Sequence, residues 1–356
     1  MATRRYNFNA GPAALPLSVL EKVQDQVVDF EGHGLSLLEM SHRSPEFDEV
    51  IGGAKAALTD LYQIPDSHEV MFMQGGASLQ FAMIPLNLGS DGAYIDTGTW
   101  SSRAIGEAQL QGTTHVLWSG KEDGYVHAPT MTEIGPLPAD ARYLHYTSNN
   151  TIYGTQYAAT PQTDLPLLCD MSSDFISRPV DVSAYDLIYA GAQKNAGPSG
   201  VTVLIIRKTI SRSFTGDASV PKILRYVTQA QKDSMYNTPN TFGIWLIKLV
   251  AEWVRSSGGL EAMAARNEHK AGLLYDTIED HPLCQCHADA TSRSLMNVTF
   301  RMETPEQEAA FMEYAKERNI MGIKGHRSVG GLRASIYNAA PIESVEALCS
   351  TLESFR

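Results

Sequence analysis

Along the first two thirds of the chain, short apolar runs alternate with stretches of helical period, and each run stops at glycine or polar residues. Glu69-Val70-Met71-Phe72-Met73 predicts a strand, Gln74 to Ser78 a turn, and Leu79 to Leu88 a helix. The unit repeats at once, with Ala93-Tyr94-Ile95-Asp96 as strand, Thr97-Gly98-Thr99 as turn and Trp100 to Gln111 as helix. Further strands are predicted at Thr114 to Trp118, Arg142 to Tyr146, Leu167 to Cys169, Leu187 to Ala190 and Val201 to Arg207. Strand and helix in alternation imply an α/β fold with a mostly parallel sheet of seven strands. Val203-Leu204-Ile205-Ile206 is apolar without alternation, as a strand covered on both faces must be. From Phe242 to Arg255, Trp245, Leu249 and Trp253 recur at helical spacing, and Ser256-Ser257-Gly258-Gly259 ends the pattern. A smaller α+β domain is expected beyond it, with helices at Leu260 to Glu279, Pro305 to Arg318 and Ile342 to Phe355, and strands at Leu295 to Arg301 and Gly331 to Ile336.

Composition narrows the possibilities. The 356 residues carry 28 Lys plus Arg against 40 Asp plus Glu, a formal charge of −12, which is the wrong sign for gripping a phosphate backbone. No nucleic-acid partner is expected. Hydrophobic residues make up 43%, yet no stretch approaches the ~18 uninterrupted apolar residues of a membrane helix. The first residues run from Met1 into Gly11-Pro12 without an apolar core typical of an export signal, so a cytoplasmic location is expected. The four cysteines form no disulfide framework. Cys284 and Cys286, flanked by His281 and His287, lack the second ligand pair of a zinc site, and His33, Glu39 and His42 lack metal-binding spacing. No metal is expected.

In an open parallel sheet, ligands bind beyond the carboxyl ends of the strands, so the residues after each strand carry the chemistry. Gly75-Gly76-Ala77-Ser78 opens a helix with bare N–H groups and suits a phosphate. Asp170 follows Leu167-Leu168-Cys169 and can charge a ligand nitrogen. Trp100 follows another strand and offers a stacking face. Lys194 sits among Gly191, Ala192, Ala196 and Gly197, where partial desolvation would lower its pKa and leave a nucleophilic amine. A phosphate cradle, an aromatic, an aspartate and a lysine 24 residues beyond it describe a site for pyridoxal 5'-phosphate (PLP).

Longer motifs carry a resemblance. Phe8-Asn9-Ala10-Gly11-Pro12-Ala13, Ser41-His42-Arg43-Ser44, Gly75-Gly76-Ala77-Ser78, Ser177-Arg178-Pro179-Val180-Asp181-Val182, Tyr189 to Asn195, Asn237-Thr238-Pro239 and Gly325 to Asn338 resemble the phosphoserine aminotransferases, class V members of the fold-type I PLP-dependent enzymes. The resemblance implies an N-terminal segment, residues 1–15, crossing the active site, a large PLP-binding domain over 16–257 and a small C-terminal domain over 258–356. It makes Lys194 the catalytic Schiff-base lysine, Asp170 the partner of the pyridinium nitrogen and Trp100 the stacking ring. Ala77, Ser78 and Gln193 would hold the cofactor phosphate and Thr151 the ring, while Asn237 and Thr238 would reach in from a second subunit of a homodimer. Arg333 would pair with the substrate α-carboxylate, and Arg43, His42, His326 and Arg327 are candidates for the distal phosphate or carboxylate. Some relatives carry an arginine where this chain has Ser78, which shifts that recognition onto Arg43, His326 and Arg327.

The activity implied is reversible transamination between O-phospho-L-serine and 2-oxoglutarate, giving 3-phosphooxypyruvate and L-glutamate in serine biosynthesis, with a four-carbon phosphorylated relative, 4-phosphooxy-L-threonine of pyridoxine biosynthesis, as a further substrate. A cysteine desulfurase would need a reactive thiol over the cofactor, and Cys169 lies inside a strand instead. Alanine or serine:glyoxylate transamination would leave Arg43, His326 and Arg327 without a phosphate to meet.

Overall fold

The computed structural model describes residues 4–355. Its central sheet has seven strands: β1 (His68–Met73), β2 (Gly92–Asp96), β3 (Thr114–Ser119), β4 (Tyr143–Thr147), β5 (Leu167–Asp170), β6 (Leu187–Gly191) and β7 (Thr202–Arg207). Their spatial order is β1-β7-β6-β5-β4-β2-β3. All neighbours are parallel except β7, which runs antiparallel to both β1 and β6. Alternate side chains split between two apolar layers, as the period of two requires. Val70, Phe72, Leu144, Cys169, Ile188 and Val203 face the layer that holds α2 (Pro45–Tyr62) and α5 (Thr241–Ser256). Met71, Tyr94, Leu168, Tyr189 and Leu204 face α3 (Gly76–Leu88) and α4 (Thr99–Gln109). The remaining long helices are α1 (Leu17–Gln26), α6 (Gly259–Asp280), α7 (Pro305–Lys316) and α8 (Ile342–Ser354).

Local chemistry accounts for the helices. In α2, Ser44 accepts from the Phe47 N–H, Pro45 occupies the first turn with Glu46 and Asp48, and Phe47, Val50, Ile51, Ala54 and Leu58 supply the buried stripe. Asn240 caps α5 by accepting from Gly243 N at 2.9 Å. A separate core joins the C-terminal half of α6 to α7, α8 and a three-stranded antiparallel sheet, β8 (Cys284–Cys286), β9 (Asn297–Met302) and β10 (Leu332–Ser335). Phe8 belongs to that core, because Tyr6–Asn7 pairs in parallel with Ile320–Met321. Between the two regions runs a polar seam. Asn149 donates to Asn297 at 2.8 Å, Asn338 N donates to Asn195 Oδ1 at 3.0 Å, and Asn267 donates to Asn338 at 2.8 Å. No helix among the described residues is long and apolar enough to cross a membrane.

Candidate active site

The parallel strands β4 to β6 end at one edge of the sheet, and their last residues define the pocket. Asp170 closes β5, in register with Thr147 of β4 and Tyr189 of β6, and is buried. Its Oδ1 accepts from Ser172 N at 3.0 Å and Ser172 Oγ at 2.6 Å, which leaves Oδ2 open to a further donor. Burial pushes this carboxyl above its ordinary range, against the attraction of Lys194 and the Ser172 donors. Lys194 lies in the turn after β6. Its Nζ donates to Thr151 Oγ1 at 2.5 Å and Ser173 Oγ at 2.8 Å, and those two hydroxyls share a 2.6 Å hydrogen bond. The amine also lies 5.6 Å from the centroid of the Trp100 ring. Burial lowers its pKa to about 8, opposed by Asp170 and assisted by Arg333. Behind Asp170, the buried Asp174 accepts from Ser148 and, at 3.1 Å, from Gln156 Nε2, with Arg178 3.7 Å away.

The phosphate-cradle expectation meets a helix three residues longer at its start than the pattern suggested. Gly75 adopts a left-handed conformation with φ of 93° as the cap of α3, so Ala77 and Ser78 stand in the first turn. No side chain caps this end, and its N–H groups remain directed past the sheet edge. A Cβ on Gly75 would come within 2.4 Å of Leu79, so glycine is required there for space as well as conformation. Gln193 is tied to the N-terminal segment, whose Ala13 N donates to its carbonyl at 2.9 Å. That segment passes close to the lysine: a Cβ on Gly11 would lie 3.3 Å from Lys194 Cγ.

The substrate candidates divide. Arg333, on β10, reaches across to donate to Thr151 O at 3.3 Å, and its Nε is buried without a partner. His326 bonds to Ser328 at 2.7 Å in the loop before β10, and its imidazole is pushed below the ordinary range by burial and then by Arg333, Arg327 and Arg103. These groups therefore converge on one side of the pocket. Arg43 and His42 lie in the turn before α2, and no hydrogen bond or ion pair joins either side chain to Lys194, Trp100 or Arg333 among the described residues. Asn237 and Thr238 are exposed, and Thr238 O accepts from Gln74 Nε2 at 2.9 Å beside the start of α3. Asn237 borders a cavity of about 330 Å³ lined also by Gly75, Leu79 and Asn240.

Two residues escaped the sequence reading. Ser173 completes the seat of Lys194, but its partners lie 22 and 21 residues away, so no local pattern announced it. Arg103 stacks its guanidinium 4.9 Å from the Trp100 ring centroid. Its position three residues after Trp100 on a predicted helix was the available signal.

The pocket fits PLP on its own terms. It offers an amine able to lose its proton, a buried carboxylate with an open oxygen, an indole whose Nε1 is buried and unpartnered, and a helix start rich in free N–H groups. The cysteines do not compete. Cys169 is fully buried and its thiol is pushed well up by burial, while burial raises Cys284 in the distant small sheet to about 12. Comparisons with known proteins agree with this chemistry. The aminotransferase class-V family model matches residues 5–348. Phosphoserine aminotransferases of Geobacillus kaustophilus (strain HTA426) and Bacillus subtilis (strain 168) are 50% and 47% identical, each alignment covering 99% of this chain and 98% of the relative. The solved phosphoserine aminotransferase of Bacillus circulans subsp. alkalophilus superposes with a TM-score of 0.96 at 48% identity, over 99% of this chain and 98% of that one. The PLP-bound phosphoserine aminotransferase of Trichomonas vaginalis gives 0.93 at 35% identity, over 99% and 100%. An alanine–glyoxylate aminotransferase from Nostoc, 15% identical with a TM-score of 0.78, shares the fold alone. With matches of this extent over the whole chain, the protein belongs to the class-V aminotransferases and, within them, to the phosphoserine aminotransferase family.

Proposed function

We propose that the pocket performs the reversible transfer of an amino group between O-phospho-L-serine and 2-oxoglutarate, yielding 3-phosphooxypyruvate and L-glutamate, as a step in serine formation. The observation that carries this reading is the Lys194 amine, buried and lowered to about 8, held by two hydroxyls in the same pocket as Trp100, Asp170 and Arg333. PLP, the cofactor of the family, supplies an electron sink for the bonds at the substrate Cα when bound. Lys194 would hold it covalently, Asp170 would meet its ring nitrogen through Oδ2, Trp100 would lie against the ring, Thr151 would contact it, and the Ala77 and Ser78 N–H groups with Gln193 would take its phosphate.

The remaining work belongs to the chain. Once freed, the Lys194 amine would take the proton from the substrate Cα as a base and then, as an acid, give it up on the cofactor side of the nitrogen instead of to Cα, a role suited to an amine whose pKa burial lowers to about 8. Thr151 and Ser173 hold it in orientation. Arg333 binds the α-carboxylate through its planar fork, and its orphaned Nε acquires an acceptor when substrate enters. Asn237 and Thr238, exposed on their own chain beside the α3 start, would serve the cofactor phosphate of a second copy, and Arg43 and His42 would reach the distal end of its substrate. The protein would then act as a homodimer with shared sites. Small, highly charged substrates and cofactor would suit a cytoplasmic location.

The test is the visible absorption spectrum of the purified protein, recorded before and after adding O-phospho-L-serine alone. The band of the lysine-bound cofactor should vanish with phosphoserine and return with 2-oxoglutarate. A band indifferent to phosphoserine would overturn the substrate, and no band even after incubation with PLP would overturn the cofactor. For the dimer, Lys194→Ala and Asn237→Ala/Thr238→Ala variants, each impaired alone, should regain turnover when their subunits are mixed; no recovery would remove Asn237 and Thr238 from a partner's site.

A further inference from the structure

Helix α4 begins at Thr99, so Trp100 and Arg103 lie one turn apart on one face. One indole connects two cations: Lys194 Nζ is 5.6 Å and the Arg103 guanidinium carbon 4.9 Å from its centroid. Arg103 is exposed, and its guanidinium pairs with no carboxylate among the described residues. A stacked guanidinium keeps its N–H edge free for an in-plane anion while the ring holds it in place. The fields of Arg333, Arg327 and Arg103 all reach His326, which they push down together with burial. Four basic groups from α4, β10 and the loop between them in space thus gather in a chain whose net charge is −12.

Collecting the three guanidinium charges around an imidazole that they push down, without a carboxylate among them, costs free energy that an anionic ligand would offset. Arg333, half-buried and directed at Thr151, accounts for one carboxylate. Arg103 and Arg327 remain at the exposed side of the pocket. A second carboxylate needs only one of them, whereas a phosphate monoester carries a charge of about −2 near neutrality and three acceptor oxygens, and occupies both.

We propose that Arg103 is a specificity-determining residue that recognises the distal phosphate of the amino donor, selecting phosphorylated over merely acidic amino acids. This rests on the phosphoserine reading above. The Trp100 ring that lies against the cofactor also positions Arg103, so that cofactor stacking and phosphate recognition share one side chain.

The test measures kcat/KM for O-phospho-L-serine and for L-glutamate in the PLP-loaded wild type, Arg103→Ala and Arg103→Lys, with the inhibition constant of inorganic phosphate as a second readout. Arg103→Ala should lower the phosphoserine-to-glutamate ratio about tenfold and weaken phosphate inhibition similarly, the loss typical of one charge-assisted hydrogen-bonding group. Arg103→Lys should restore much of the ratio, since a point charge still meets phosphate. An unchanged ratio in Arg103→Ala would overturn the assignment while leaving the underlying activity intact. An equal loss for both donors accompanied by a shifted cofactor spectrum would also overturn it, assigning Arg103 to support of Trp100. Wild-type protein that fails to turn over phosphoserine at all would instead overturn the functional reading on which the proposal stands.

Discussion

On one side of the pocket, Lys194 with Thr151 and Ser173, and Asp170 with Ser172, form two hydrogen-bonded sets at 2.5 to 3.0 Å, all buried. On the other, among the described residues, the Arg333 guanidinium makes a single 3.3 Å bond and leaves Nε orphaned, the His326 imidazole bonds to Ser328 alone, and Arg103 rests on an aromatic face. The first group is assembled before any ligand arrives, with Asp170 Oδ2 alone left open for one. The second is two guanidinium charges and an imidazole held below its ordinary range, with no carboxylate partner among the described residues. Residues proposed to handle the cofactor sit on strand ends and the turns that leave them, where the sheet fixes their geometry. Residues proposed to meet substrate sit on β10, its preceding loop and an exposed helix face, where a side chain can still adjust to an entering anion. The contrast predicts two different kinds of failure on mutation.

The largest effect tests the complete side. Lys194→Ala should abolish transamination with every donor and remove the visible cofactor band, while the far-ultraviolet circular dichroism spectrum stays that of the folded protein. Measurable turnover in that variant would show that another group moves the Cα proton. A smaller and different effect is expected across the pocket. Arg333→Ala should retain the band yet lower kcat/KM about 100-fold, or about 3 kcal/mol, for phosphoserine and glutamate alike, because both present an α-carboxylate to the same fork. Steady-state kinetics with the two donors decides it: an unchanged rate with glutamate would take Arg333 out of the site and erase the distinction between the two sides.

The same contrast explains what was legible in the residues. The seven strands begin and end within a residue or so of the apolar runs that predict them, since a strand covered on both faces tolerates few polar residues before its end. Lys194, Asp170 and Trp100 could be read because each follows such a run directly. The antiparallel course of β7 could not, as Val203-Leu204-Ile205-Ile206 is equally apolar in either direction. Helix α2 was overlooked although Ser44-Pro45 and the spacing of Phe47, Ile51, Ala54 and Leu58 announce it. Ser173 was hidden for a deeper reason. Its role arises only when the turn after β5 meets Thr151 and Lys194 in space, and Ser172-Ser173 by itself is an ordinary polar turn. Asn237, Thr238, Arg43 and His42 are motif residues that no bond ties to the Lys194 pocket among the described residues, and their proposed use in a second copy's site leaves no local pattern to read.

The smallest effect addresses the energetic cost of building the complete side in advance. Lys194 titrates near 8 when folded, against an ordinary 10.5. Between those values the unfolded chain holds a proton that the folded chain has released, so this group makes the cofactor-free protein more stable as pH rises from about 8 to about 10.5. Below about 8 the amine is protonated in both states and the full penalty of burying its charge is felt. Lys194→Met retains the apolar stem and removes the charge. The penalty relieved is about 3 kcal/mol from the size of the shift, and the lost hydrogen bonds to Thr151 and Ser173 return about 1 kcal/mol of it. The cofactor-free variant should therefore exceed wild type in stability by about 2 kcal/mol near pH 7, and the advantage should disappear near pH 10. Urea unfolding of both proteins at the two pH values measures this directly. A difference that does not vary with pH would mean that the amine is equally solvated folded and unfolded, and that the tight hydrogen bonding around Lys194 is assembled only when the cofactor binds.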